Sequence, residues 1–278
     1  MKMTVRRERR VSRARGGPYV GPSFSSGVTV TSLLLALLSA AAPGLHAQRG
    51  RGNAPPASPR AGAPVDLTGL WVSIVTEDWR YRMVTPPKGE RPGIPLNAEG
   101  LRVTNAWDPA KDEAAGEACR AYGPPGVMRA PGRIRISWLD DTTLKIETEA
   151  GTQTRVLKFG PPAAPSSPPG WQGDSVAQWE VSGGGRRGRG GAPQSGDLKV
   201  VTKNMRPGYS QKNGVPYGAN ATLTEYFNRT NESDGTSYLI LTAILEDPQY
   251  YNIPFIRSSH FRKLPDNGPW EVEPCTAR

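Results

Sequence analysis

The run Glu77-Asp78-Trp79-Arg80-Tyr81-Arg82 places two carboxylates, two aromatic rings and two guanidinium groups in six consecutive positions. A carboxylate held against aromatic rings and away from water has its pKa raised, and can then take or give a proton near neutral pH. Read as a strand, the run puts Asp78, Arg80 and Arg82 on one face and Glu77, Trp79 and Tyr81 on the other. Glu77 and Asp78 are therefore candidate acid–base residues, and Glu180, directly after Trp179, is a third. The competing reading is a set of solvated, cross-paired surface charges, the commoner fate of such clusters.

Aromatic residues suggest a second chemistry. Seven tryptophans are a large apolar payload for a chain of 278 residues. Trp79, Tyr81, Trp107, Met128, Trp138 and Trp179 are the candidates to line a site for a small apolar or amphipathic molecule.

Other chemistries lack their residues. Of the two histidines, His46 falls in an expected leader, leaving His260. One histidine and two cysteines do not make a typical zinc or copper site. No glycine-rich loop opens a helix after a strand, so no nucleotide cofactor is expected. No Gly-x-Ser-x-Gly elbow occurs. Ser259 and His260 are neighbours on an expected strand and point to opposite faces, which argues against a triad there.

Residues 1–47 read as a secretory signal: six arginines between Arg6 and Arg15, an apolar run from Val28 to Ala42, and Leu45-His46-Ala47 as the cleavage site. A periplasmic or secreted protein is expected, with no membrane span once the signal is removed. The net charge of +10 invites a nucleic-acid reading, but residues 48–278 hold 28 basic against 24 acidic residues. Six of those 28 are arginines in low-complexity segments (Arg49, Arg51, Arg60, Arg186, Arg187 and Arg189), so the remainder is near neutral and no nucleic-acid partner is expected. Cys119 and Cys275 are the one pair available for a disulfide, which an oxidising compartment favours over two free thiols.

The elements that must position these residues are mostly strands. Residues 48–64 read as a flexible linker, and 183–196 as a disordered glycine-arginine loop inside a single β domain spanning 65–278. Strand patterning covers 67–76, 80–85, 133–139, 143–148, 152–159, 175–181, 198–203, 221–229, 237–246 and 255–264. In Arg133–Trp138 every second residue is apolar, as in a sheet with one wet face. The apolar run 238–245 predicts a strand buried on both faces. Asn97 caps a short helix to Trp107, and Asp108-Pro109 opens another to Ala118. Ten short strands in meander order with a helical insertion point to a mainly β, antiparallel barrel, with a β-sandwich as the alternative.

Gly69-Leu70-Trp71 opens the first strand and resembles the lipocalin signature. That resemblance implies a structural role for Trp71 as a plug at one end of the barrel, with Arg262 or Arg257 from the last strand stacked on it. Three further blocks widen the likeness: Cys119-Arg120-Ala121-Tyr122-Gly123-Pro124-Pro125-Gly126-Val127-Met128, then Gly170-Trp171-Gln172-Gly173-Asp174-Ser175-Val176-Ala177-Gln178-Trp179-Glu180, then Leu245-Glu246-Asp247-Pro248-Gln249-Tyr250-Tyr251. Together, over about residues 66–275, they resemble a family of exported bacterial lipocalin-like proteins of unknown function. The loop 183–196 is an insertion relative to that pattern. The resemblance implies a secreted lipocalin-like barrel and brings no activity with it.

Three functions follow as expectations: a carrier of an apolar or amphipathic ligand, an envelope interaction or structural protein, and a metal-free enzyme using carboxylate chemistry. The carrier ranks first, because barrel mouths are common ligand sites.

Overall fold

The computed structural model describes residues 57–181 and 196–278. The expected signal peptide, residues 48–56 of the expected linker and most of the glycine-arginine loop lie outside the described residues. The rest of the linker contacts the domain: Trp179 Nε1 donates to the Pro59 carbonyl at 2.8 Å and the Arg60 amide to the Asp141 carbonyl at 3.1 Å.

Among the described residues eleven strands form in chain order: β1 Gly69–Ile74, β2 Arg133–Asp140, β3 Thr143–Thr148, β4 Gln153–Phe159, β5 Asp174–Val181, β6 Gly196–Lys203, β7 Gly208–Gln211, β8 Val215–Tyr217, β9 Thr222–Asn231, β10 Ser237–Glu246 and β11 Phe255–Leu264. Nine of them close into a barrel in the order β1-β11-β10-β9-β6-β5-β4-β3-β2. Closure gives every barrel strand a neighbour on both sides, because β1 bonds to both β2 and β11. A barrel is thus the outcome, and the sandwich is not.

The meander is interrupted twice. Between β4 and β5 the Pro-rich segment 160–173 carries the chain back along the barrel, so that β5 pairs parallel to β4. Between β6 and β9, strands β7 and β8 leave the barrel as a separate hairpin. Their apolar residues Tyr209, Val215 and Tyr217 are buried, but each strand is too short to show a period.

Alternation within the strands sets the core. Ile134 and Ile136, Leu144 and Ile146, Leu198 and Val200, and Leu239 and Leu241 all face inward and are buried. The expectation of a strand buried on both faces over 238–245 is corrected: Leu239, Leu241 and Leu245 are buried, while Ile240 and Ile244 on the outer face are half-exposed.

Among the described residues the helical elements fall between β1 and β2, apart from a 3-10 turn at Ala150–Thr152 that joins β3 to β4. They are α1 Trp79–Arg82, α2 Ala98–Ala106, α3 Pro109–Ala114 and α4 Pro124–Val127, with a 3-10 turn at Ala118–Ala121. Asn97 and Asp108 cap α2 and α3 as expected, accepting from the amides of Gly100 at 2.9 Å and Ala110 at 3.1 Å. α3 stops at Ala114, where Gly116 takes a φ of +71°. The strand expected at 80–85 does not form. Asp78 adopts a left-handed conformation (φ 52°, ψ 27°), which Asp tolerates better than most residues, and the chain turns there into α1. The two-faced arrangement of residues 77–82 is lost with it.

This insertion roofs the barrel end where β1 stops and β2 starts. The hairpin β7–β8 and the C-terminal tail join it. Cys119 and Cys275 form the expected disulfide, tying the tail to the roof across 156 residues of sequence. Among the described residues no helix is long and apolar enough to cross a membrane.

Candidate functional site

Gly-x-Trp lies at the end opposite the roof. Trp71 is fully buried, and its Nε1 donates to the Leu67 carbonyl at 3.0 Å. Its ring is faced by the Lys263 ammonium, 5.3 Å from the ring centroid, and by the Arg229 guanidinium at 5.8 Å. Arg262 is exposed and points away, and Arg257 lies at the roof end, so the expected arginine is replaced by Lys263 from the same strand. Gly69 has φ +113°, and a Cβ there would sit 1.5 Å from Lys263 Nζ. The glycine thus makes room for the ammonium that covers the tryptophan. Both cations are satisfied by backbone: Lys263 donates to the Thr68 carbonyl at 2.6 Å, and Arg229 to the Asp66 carbonyl at 2.6 Å. Beside them Trp138, Phe159 and Trp179 form a stack with centroids 5.6 and 5.5 Å apart.

Midway along the barrel two charges face each other inside. Arg155 on β4 donates through both Nη atoms to the Glu225 carboxylate on β9, one bond being 2.9 Å, and both side chains are fully buried. A fork-to-carboxylate pair is the strong geometry for such a bridge.

At the roof end lies a groove of about 340 Å³. Tyr81, Arg82, Tyr122, Arg129, Ala130, Pro131, Lys212 and Glu273 line it, with Met83, Val84 and Thr85 on its lip. Each wall comes from a different element: α1, the turns around α4, hairpin β7–β8, and the disulfide-tied tail. The tail is fixed by Glu273 N donating to the Glu149 carbonyl at 3.0 Å and by Thr276 N donating to Tyr122 Oη at 3.3 Å.

Three arginines gather at this end. Arg82 donates through Nη1 to Glu77 at 2.8 Å and through Nε to the Arg129 carbonyl at 2.9 Å. Arg129 and Arg257 both reach Asp78 Oδ2. Arg82 Nη2, Arg129 Nη1 and Arg257 Nε are buried and have no protein partner. Burial pulls the Arg129 and Arg257 guanidiniums down to about 10, against an ordinary value of 12.5. They remain cations at neutral pH. Behind them, between roof and barrel core, is a void of about 20 Å³ bounded in part by Met128, Arg129, Ser210, Arg257 and Ser259. It has room for about one water.

The candidate residues therefore separate. Tyr81 borders the groove and Met128 the void beneath it. Trp79 is 63 % exposed on α1. Trp107 is buried in the roof against Gly214, whose φ of +83° and missing Cβ let the ring approach. Trp138 and Trp179 belong to the opposite end. Of the acids, Glu77 and Asp78 are tied to arginines. Burial pushes the Glu77 carboxyl up, but hydrogen bonds from Thr76 and its own backbone, with the charges of Arg82 and His260, hold it below its ordinary range. A general base needs the opposite shift. Glu180 pairs with Lys199 at 3.1 Å on the barrel wall.

Sequence reasoning missed Arg129 and the Arg155–Glu225 pair, and it named Arg257 only as a partner for Trp71, not as a neighbour of Asp78 at the roof end. For the pair a signal existed: Arg155 shares the inward phase of Leu157, and Glu225 that of Leu223 and Phe227. No protein-family model matches the chain, and neither a curated protein nor a solved structure matches it.

Proposed function

We propose that this protein binds an amphipathic small molecule outside the cytoplasm, in the groove at the roof end of the barrel. The observation that carries the reading is the groove itself: a half-enclosed space of about 340 Å³ in which tyrosines and apolar groups stand beside arginines. That size and mixture suit a small ligand with one polar end. The barrel interior offers less, since side chains occupy it and a buried ion pair crosses it. A ligand seated at the rim, rather than deep in the barrel, is the version of a lipocalin-like carrier that fits this chain. The disulfide supports an oxidising compartment, in keeping with the export signal read at 1–47.

Native mass spectrometry of residues 48–278, purified without denaturation, tests this. The expected result is a reproducible extra mass, removed by organic extraction and absent in a Thr85→Trp variant that fills the groove. A bare mass, or an extra mass that survives groove filling, would contradict it.

A second reading has its own observation. Trp79, Met83 and Val84 are 63 %, 56 % and 63 % exposed within six residues of sequence. Such side chains suit contact with a partner protein in the cell envelope. Cross-linking from position 79 in the periplasm would favour it by yielding one defined adduct.

A further inference from the structure

Accepting the groove as the binding site, the arginine cluster narrows what it binds. We infer that the ligand carries a single-charged oxyanion head, a carboxylate or sulfonate, taken by Arg82 and Arg129 with Arg257 behind them.

The argument starts from unpaired donors. A buried guanidinium N–H without a partner leaves a desolvation penalty uncompensated. Three such groups lie together at the roof end: Arg82 Nη2, Arg129 Nη1 and Arg257 Nε. The Arg82 side chain is 1 % exposed, yet Arg82 lines the groove. The charges do not balance either. Three arginines meet two carboxylates, Glu77 and Asp78, which leaves one positive charge. His260 Nδ1 lies 3.5 Å from Glu77. Lys212 and Glu273, one charge of each sign, also line the groove. One excess positive charge calls for a monoanion.

Geometry gives the head a way in. Arg129 lines both the groove and the void behind it. Its Nη1 is buried and unpaired, so a turn of the side chain is what would present that N–H to a ligand in the groove. Arg82 is fixed by Glu77 and by the Arg129 carbonyl, so it supplies a preorganised donor. Oxyanions are bound well by such forked donors, and the tyrosines beside them take the apolar body.

Two fluorescent probes separate head from body: 1-anilinonaphthalene-8-sulfonate, and N-phenyl-1-naphthylamine, which is the same arylamine without the sulfonate. Each is titrated into the disulfide-bonded protein, residues 48–278. The sulfonate is expected to bind at least tenfold more tightly. Arg129→Gln should remove most of that preference. Asp78→Asn, which deletes an internal counter-charge, should tighten the sulfonate several-fold, an effect that a merely structural role would not produce. Octanoate should displace the sulfonate at lower concentration than octyl phosphate. If both probes bind equally and the substitutions leave them equal, the groove reading stands and the anion inference falls. If neither binds, the groove reading falls with it. A preference for octyl phosphate would overturn the monoanion assignment.

Discussion

At the end of the barrel where β1 begins, Trp71 lies beneath the Lys263 ammonium and the Arg229 guanidinium, and both cations are anchored on backbone carbonyls. At the end where β1 stops, arginines again stand near aromatic rings, yet three of their N–H groups have no partner and a groove opens beside them. Similar residue types finish both ends. They differ in how completely their polar atoms are satisfied. At the first end both cations have fixed acceptors, as a plug requires; at the second, three arginine donors are left over beside a groove, in addition to the unpaired Arg155 Nε inside the barrel and Trp107 Nε1 in the roof. The ends also differ in construction. Side chains of the barrel strands themselves seal the first, whereas the second draws its walls from α1, the turns around α4, hairpin β7–β8 and the tail, held by one disulfide.

The largest effect is expected from that tie. Replacing both Cys119 and Cys275 by Ser should cost roughly 4–5 kcal/mol on the chain-entropy view, for a loop of this length. Denaturant unfolding checks it, and the groove should lose its ligand before the barrel melts. Trp71→Ala is expected to cost about 3–5 kcal/mol, the scale for truncating a buried tryptophan. Trp79→Ala on the exposed lip should stay within about 0.5 kcal/mol of wild type. Equal losses at the two positions would erase the contrast between plug and groove. Between the ends, Glu225→Leu leaves Arg155 buried and unpaired, a loss of about 3–5 kcal/mol. Adding Arg155→Met should recover most of it, because two well-packed apolar groups replace a costly pair.

The smallest effect concerns pH. Glu77 is held below its ordinary pKa in the folded state, so the unfolded state takes up its proton first as pH falls. Its contribution is whole above the ordinary carboxylate range and is lost as pH drops through the depressed value. Glu77→Gln should flatten the acid limb of a stability profile and leave the neutral region unchanged in slope.

Much of the barrel was legible because its strands carry period-2 alternation: 133–139, 143–148 and 198–203 were placed to within a few residues. The strand expected at 80–85 was not formed, because Arg80-Tyr81-Arg82 alternates by accident after an Asp that takes a left-handed turn. β7 and β8 were missed, being short and buried on both faces. The parallel β4–β5 pair depends on where a proline-rich segment returns, which local pattern does not encode. The site was harder still. Arg82, Arg129 and Arg257 are separated by 47 and 128 residues, and only the closed barrel brings them together. Residue type alone groups Trp138 and Trp179 with Tyr81, whereas strand direction sends them to the opposite end.

Amide chemical-shift mapping of 1-anilinonaphthalene-8-sulfonate on the isotope-labelled protein tests the central claim most directly. Shifts concentrated at residues 81–85, 126–132 and 210–212 are predicted, with the stack of Trp138, Phe159 and Trp179 unmoved. Shifts centred on that stack, or on Trp71, would contradict the assignment of the open end.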